Sequence, residues 1–184
     1  RLAEEQGPMG VNTRQLFPTA FPRDFSLITS LRLAPNTSSV TLLALYSDTG
    51  TEQLVFSVGD NVTLYYQDSD DDQDSLNSFN VTFNVNINDN TWHRLGLSVK
   101  GDSATLLVDC ELTFSQPLPR NPSGTINIDG VLFYGQQILD ETYYQGDVEL
   151  LMIGPVPDSA YTLCDREARD CDDADFDDSD NTDD

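Results

Sequence analysis

The chain has 184 residues and a formal charge of −23, with nine Lys and Arg against 32 Asp and Glu. That length suits one domain with a substantial core, and no basic stripe exists that could neutralise the phosphates of nucleic acid. The same charge disfavours anionic membrane surfaces and sulfated glycans such as heparan sulfate, and no apolar run nears the roughly 20 residues that a membrane-spanning helix needs.

Taken in order, residues 1–15 include Gly7-Pro8 and Gly10 without any period, which predicts an extended lead-in ahead of a domain over 16–171. Arg1 in the place of Met is what a mature or excised fragment would show. From Phe25 onward short apolar runs predict strands at 26–33, 40–46, 53–58 and 61–66, with turns at Pro35-Asn36, 47–50 and Gly59-Asp60. An acidic loop over 68–74 follows. Residues 79–87 then alternate, with Val81, Phe83, Val85 and Ile87 on one face and Thr82, Asn84 and Asn86 on the other.

The run from Trp92 to Cys110 reads as a hairpin. Leu95, Leu97 and Val99 alternate with Arg94, Gly96 and Ser98, the turn is Lys100-Gly101-Asp102-Ser103, and the return strand is 104–108. Further strands are predicted at 125–128, 131–134 and 146–153, and a short helix over 157–164 with Asp158 as its N-cap. Many short strands with turns between them predict an all-β antiparallel sandwich with one short C-terminal helix. The run 172–184 is nearly all acidic and too poor in apolar residues to offset its ordering entropy, so it is read as a disordered linker.

Cys110, Cys164 and Cys171 give an odd count without zinc-site spacing. Sequons at Asn36, Asn61 and Asn80, in an acidic and lysine-poor chain, point to secretion. His93 is the only histidine, and no nucleophile or metal pair accompanies it in the sequence. It is therefore read as a strand-start residue, and Trp92 as a large core aromatic beside Phe25, Leu95 and Val108. Asp68, Asp70 and Asp72 could together reach a calcium ion, but the Gly and the later Glu of a calcium loop are missing. The loop is read as solvated.

The ordered motifs resemble the thrombospondin N-terminal-like domain, a laminin-G-like (concanavalin-like, jelly-roll) sandwich. The residues that carry the resemblance are 21–27 (FPRDFSL), 89–95 (DNTWHRL), 107–110 (LVDC), and 138–141 (ILDE) with 144–148 (YQGDV). The ending Ala160-Tyr161-Thr162-Leu163-Cys164, with Cys171 after six residues, is similar to amino-propeptides of fibrillar collagens of the type V and XI group. The resemblance implies a Cys110–Cys164 disulfide and a bond from Cys171 to a cysteine upstream of Arg1. It also implies an extracellular-matrix module that limits or organises fibril growth by bulk and binding. Its partners would be other matrix proteins and its own collagen trimer. Relatives often carry lysines after the Val-Asp-Cys; here the run is Glu111 to Gln116, with no cation before Arg120, so heparin binding is not carried over. The expectation is a non-enzymatic module without a cofactor. The alternatives are a fibril-associated collagen or thrombospondin N-terminal domain, and a calcium-dependent lectin-like sandwich.

Overall fold

The computed structural model describes residues 9–68, 78–138 and 143–163. Among the described residues, eleven strands lie in two antiparallel sheets. The six-stranded sheet has the order β1 (Met9–Asn12), β10 (Val131–Tyr134), β3 (Ser39–Tyr46), β4 (Glu52–Gly59), β5 (Val62–Gln67), β6 (Ser78–Phe83). The five-stranded sheet runs β11 (Gly146–Gly154), β2 (Phe25–Leu33), β7 (His93–Lys100), β8 (Ser103–Val108), β9 (Leu112–Pro117). Non-sequential neighbours such as β2 and β7 make this a jelly roll, as the strand spacing and the resemblance together predict.

Alternating side chains of both sheets fill the space between them. Leu27, Leu31 and Leu33 of β2, Leu95, Leu97 and Val99 of β7, and Leu54, Phe56 and Val58 of β4 are all fully buried there. One end of this core is closed by a run of rings from Phe17 through Phe21 and Phe25 to Tyr66, with successive centroids 4.8, 5.3 and 6.4 Å apart. Of the expected core markers, Phe25, Leu95 and Val108 lie inside the sandwich.

Trp92 does not. It is 47% exposed. The period-two rule gives the reason: with Leu95, Leu97 and Val99 facing inward, the inward place at the strand start belongs to His93, and Trp92 is left on the outside.

Other expectations shift for similar reasons. The lead-in segment joins the fold, because Met9–Asn12 pairs with β10 and Asn12 caps a one-turn helix, α1 (Thr13–Leu16), through Arg14 N–H at 2.9 Å. β6 ends at Phe83: Val85 and Ile87 leave the ladder, although Ile87 still reaches the core. Residues 125–128 form no strand, yet Ile126 and Ile128 are buried. β9 went unpredicted because its turn carries no Gly or Asn; Asp109 and Cys110 both take left-handed φ values, 53° and 63°. The predicted C-terminal helix is a 3-10 helix, Pro157–Leu163, and Asp158 lies in its first turn, not at its N-cap.

This 3-10 helix packs across the outer side of β2 and β7 and buries Ala160 completely. A Cβ on Gly96 would sit 2.5 Å from the Ala160 carbonyl oxygen, so only glycine lets the helix press onto the sheet there. Gly96→Ala is expected to cost about 1–3 kcal/mol through this overlap. The loss would be read as a lower urea midpoint at unchanged m value; an unaltered midpoint would show that the helix is not seated on Gly96.

Candidate functional site

On the outer side of the five-stranded sheet, β2 and β7 present the facing pairs Ser26–Ser98, Ile28–Gly96 and Ser30–Arg94. Ser26, Ile28 and Ser98 are buried where the 3-10 helix crosses. Beyond the helix, the Ser30–Arg94 pair opens into a groove of about 620 Å³ that is also lined by Trp92, Asp109 and Glu149. Sequence reasoning missed this convergence, because the five residues come from β2, the lead into β7, β7 itself, the β8–β9 turn and β11.

Each wall is held in place. Along β11 the register with β2 slips between Val148 and Leu150, so Glu149 is the extra residue of a β-bulge. A bulge re-aims a side chain, and here Ser30 Oγ donates to Glu149 Oε2 at 3.0 Å. Thr29 Oγ1 pins the same bulge by donating to the Leu150 carbonyl at 2.8 Å. Asp109 Oδ1 accepts the Arg94 backbone N–H at 2.7 Å, while Asp109 N–H donates to the Arg94 carbonyl at 2.8 Å. The Arg32 guanidinium lies 5.4 Å from the Trp92 ring centroid and is itself held by Asp147, with Nε to Oδ2 at 3.2 Å.

Beneath the groove lies His93. Its Nδ1 is 2.7 Å from Asp109 Oδ2 and its Nε2 is 2.9 Å from Asp89 Oδ1. An imidazole can donate from both nitrogens only when protonated. Burial alone would push the His93 pKa down, but the hydrogen bonds and charges of Asp109 and Asp89 outweigh it and the pKa is raised. Asp89, which also accepts from Thr91 N–H and Thr91 Oγ1, is held down to about 2, chiefly by Thr91 and then by His93.

Thr91 Oγ1 stands 3.2 Å from His93 Nε2, and with Asp109 on the far side the three groups mimic a hydroxyl–imidazole–carboxylate triad. The second carboxylate changes the chemistry. Asp89 accepts the Thr91 hydroxyl hydrogen and also faces Nε2, so both ring nitrogens lie against carboxylates and the raised pKa favours the doubly protonated ring. The cluster is a clamp.

The other residues singled out from sequence lie elsewhere. Asn36 is exposed at a left-handed φ of 66°, and Asn61 is exposed in the adjoining turn, where Asp60 N–H donates to the Ser38 carbonyl at 2.8 Å. Asn80 is exposed on β6. Cys110 is exposed in the β8–β9 turn, whereas Cys164 and Cys171 lie outside the described residues, as do Asp70 and Asp72.

Asp68 is buried, its carboxylate oxygens meet no close hydrogen-bond partner among the described residues, and burial raises its pKa. Gly124 packs onto this carboxyl so closely that a Cβ would lie 2.2 Å away. Among the described residues no group of three His, Cys, Asp or Glu side chains could hold a metal ion. Arg120, the first cation after Cys110, is turned inward: its Nε donates to the Gly101 carbonyl at 2.9 Å, its Nη2 to Asp24 at 2.8 Å, and its guanidinium lies 5.5 Å from the Tyr66 ring centroid.

The Laminin G domain family model matches residues 36–153. Among solved structures, the chain is similar to domains LG4-5 of the mouse laminin alpha1 chain, with a TM-score of 0.60 and 12% identity over 80% of this chain. It spans 39% of that laminin segment. The CBM40 of the Ruminococcus gnavus IT-sialidase, bound to alpha2,6 sialyllactose, has a TM-score of 0.61 and 10% identity, covering 85% of this chain and 92% of that one. A heptameric SAP-like pentraxin from Limulus polyphemus has a TM-score of 0.56 and 11% identity, covering 79% and 72%.

The clamp sets a pH window. A raised His93 pKa means that its stabilisation is complete below the ordinary histidine value of 6.5 and is lost as pH rises through the folded-state value. The depressed Asp89 works the other way, contributing above 3.8 and losing that contribution as pH falls through about 2. NMR of the lone histidine should therefore show a midpoint above 6.5, and the excess stability of the native chain over a His93→Gln variant should shrink above that midpoint. A midpoint at or below 6.5 would contradict the clamp.

Proposed function

This chain belongs to the laminin G domain family, and we propose that it works as a non-enzymatic extracellular interaction module, the amino-propeptide domain of a fibrillar collagen of the type V and XI group. The open groove on the outer face of the five-stranded sheet carries the interaction reading, since it leaves Trp92 exposed among fixed polar groups. The consecutive motifs from Phe21 to Cys164 support the collagen assignment, as does the acidic run that follows Cys171.

The mechanism is steric and adhesive. A domain of this length has a radius of gyration of about 15 Å, whereas salt screens exposed charge beyond about 8 Å at physiological strength. Bulk therefore hinders the lateral packing of triple helices at longer range than repulsion between heads carrying a charge of −23. Arg120 supports leaving heparan sulfate out of the partners, because its guanidinium is spent inside the fold. In this reading Cys110 pairs with Cys164. The seating of the preceding 3-10 helix on β7 supports that bond, because β7 is also the strand whose Arg94 is tied to the Cys110 turn.

Two measurements test the reading. Fibrils assembled from full trimers that keep this head are expected to be thinner than fibrils from trimers with the head removed by proteolysis; equal diameters would overturn the assembly role. Non-reducing peptide mapping of the secreted chain is expected to return a Cys110–Cys164 peptide, and a Cys110–Cys171 peptide would overturn the pairing.

A further inference from the structure

We propose that the groove between Trp92 and Glu149 is a metal-independent site for a neutral saccharide of roughly two pyranose rings, of the lactose type. The proposal rests on the interaction-module reading and names the ligand of that same site. Three observations carry it.

The first is the tryptophan. An indole that is 47% exposed at the wall of a groove is a platform for the apolar C–H face of a sugar ring. Arg32 lies over one face of the ring, and its pairing with Asp147 holds the indole in place. A β-galactoside presents a suitable face, since its C–H bonds gather on one side of the ring while its hydroxyls point outward.

The second is the polar rim. Sugar hydroxyls both donate and accept, so a site for them needs acceptors and donors set close together and held rigid. Glu149 and Asp109 are the acceptors; the bulge and Ser30 fix one, and His93 with the Arg94 N–H fixes the other. The Arg94 guanidinium on the groove lining carries the donors, and Ser30 Oγ, whose hydrogen is given to Glu149, adds a further acceptor. Because these groups are already in place, little ordering cost falls on binding.

The third is size and charge. About 620 Å³ lies within the usual range of about 300–1,000 Å³ for small-molecule sites. Glu149 and Asp109 line the groove beside Arg94, and the chain as a whole carries −23, so long-range charge disfavours an acidic sugar more than a neutral one.

Trp92 is the only tryptophan in the chain, so its emission reports the groove directly. Titration of the full chain with lactose is expected to give a saturable change in Trp92 emission, with half-saturation in about the 1 mM range. Addition of EDTA should leave the curve unchanged, and sialyllactose should bind at least about threefold more weakly. Glu149→Gln, at an exposed position, should weaken lactose binding about tenfold while the circular dichroism spectrum stays the same. A flat response to lactose would overturn the site, and so would abolition by EDTA or undiminished affinity in Glu149→Gln. Tighter binding of sialyllactose than of lactose would overturn the neutral-ligand assignment. A silent groove alongside head-dependent thinning of fibrils would sink this proposal alone, whereas a responsive groove with unchanged fibrils would sink only the collagen role.

Discussion

One strand has to satisfy two faces at once. Every second side chain of β7 enters the core, as His93, Leu95, Leu97 and Val99 do, and the intervening Arg94, Gly96 and Ser98 must face outward. Gly96 on that outer side admits the 3-10 helix, which covers β2 and β7 there. Among the described residues the surface around Ser30 and Arg94 stays open as a groove. The groove is thus the remainder of a packing problem: the covering helix is short, and the place where it sits is decided by the one residue without a Cβ.

The buried end of the strand sets a second constraint. Placing a histidine inward at the start of the central strand would be costly if its nitrogens went unpaired, and two carboxylates meet them. Asp109 serves both levels of the structure, because one of its oxygens holds the imidazole and the other holds the backbone of Arg94 in the groove. A proton on His93 and the shape of the groove wall are therefore tied through a single side chain.

Charge in this molecule is spent unevenly. Several of its few arginines are committed inside the fold or to neighbouring carboxylates: Arg120 to Gly101 and Asp24, Arg32 to Asp147, Arg14 to Asp129. A net charge of −23 repels other copies of the chain at long range and disfavours polyanions.

Period two and turn chemistry, which are local, decided much of the fold at the level of sequence. The alternation in 93–99, the Gly101-Asp102 turn and the strands at 131–134 and 146–153 all follow from residues within a few positions of one another. The parity of Leu95, Leu97 and Val99 even held the answer for Trp92, though the size of the indole suggested the core. Other features were set only by distant neighbours. β9 follows a turn whose left-handed Asp109 and Cys110 have no signature in composition, and the bulge at Glu149 exists only against the register of β2. Residues 125–128 have strand composition but bury Ile126 and Ile128 without finding a ladder partner. The groove belongs with these, since its five walls are brought together by strand order in the sheet, and strand order is fixed by packing energy summed over the whole sandwich. What the sequence by itself determined is which side each residue of a strand faces; which residues meet across that side was decided by the tertiary structure alone.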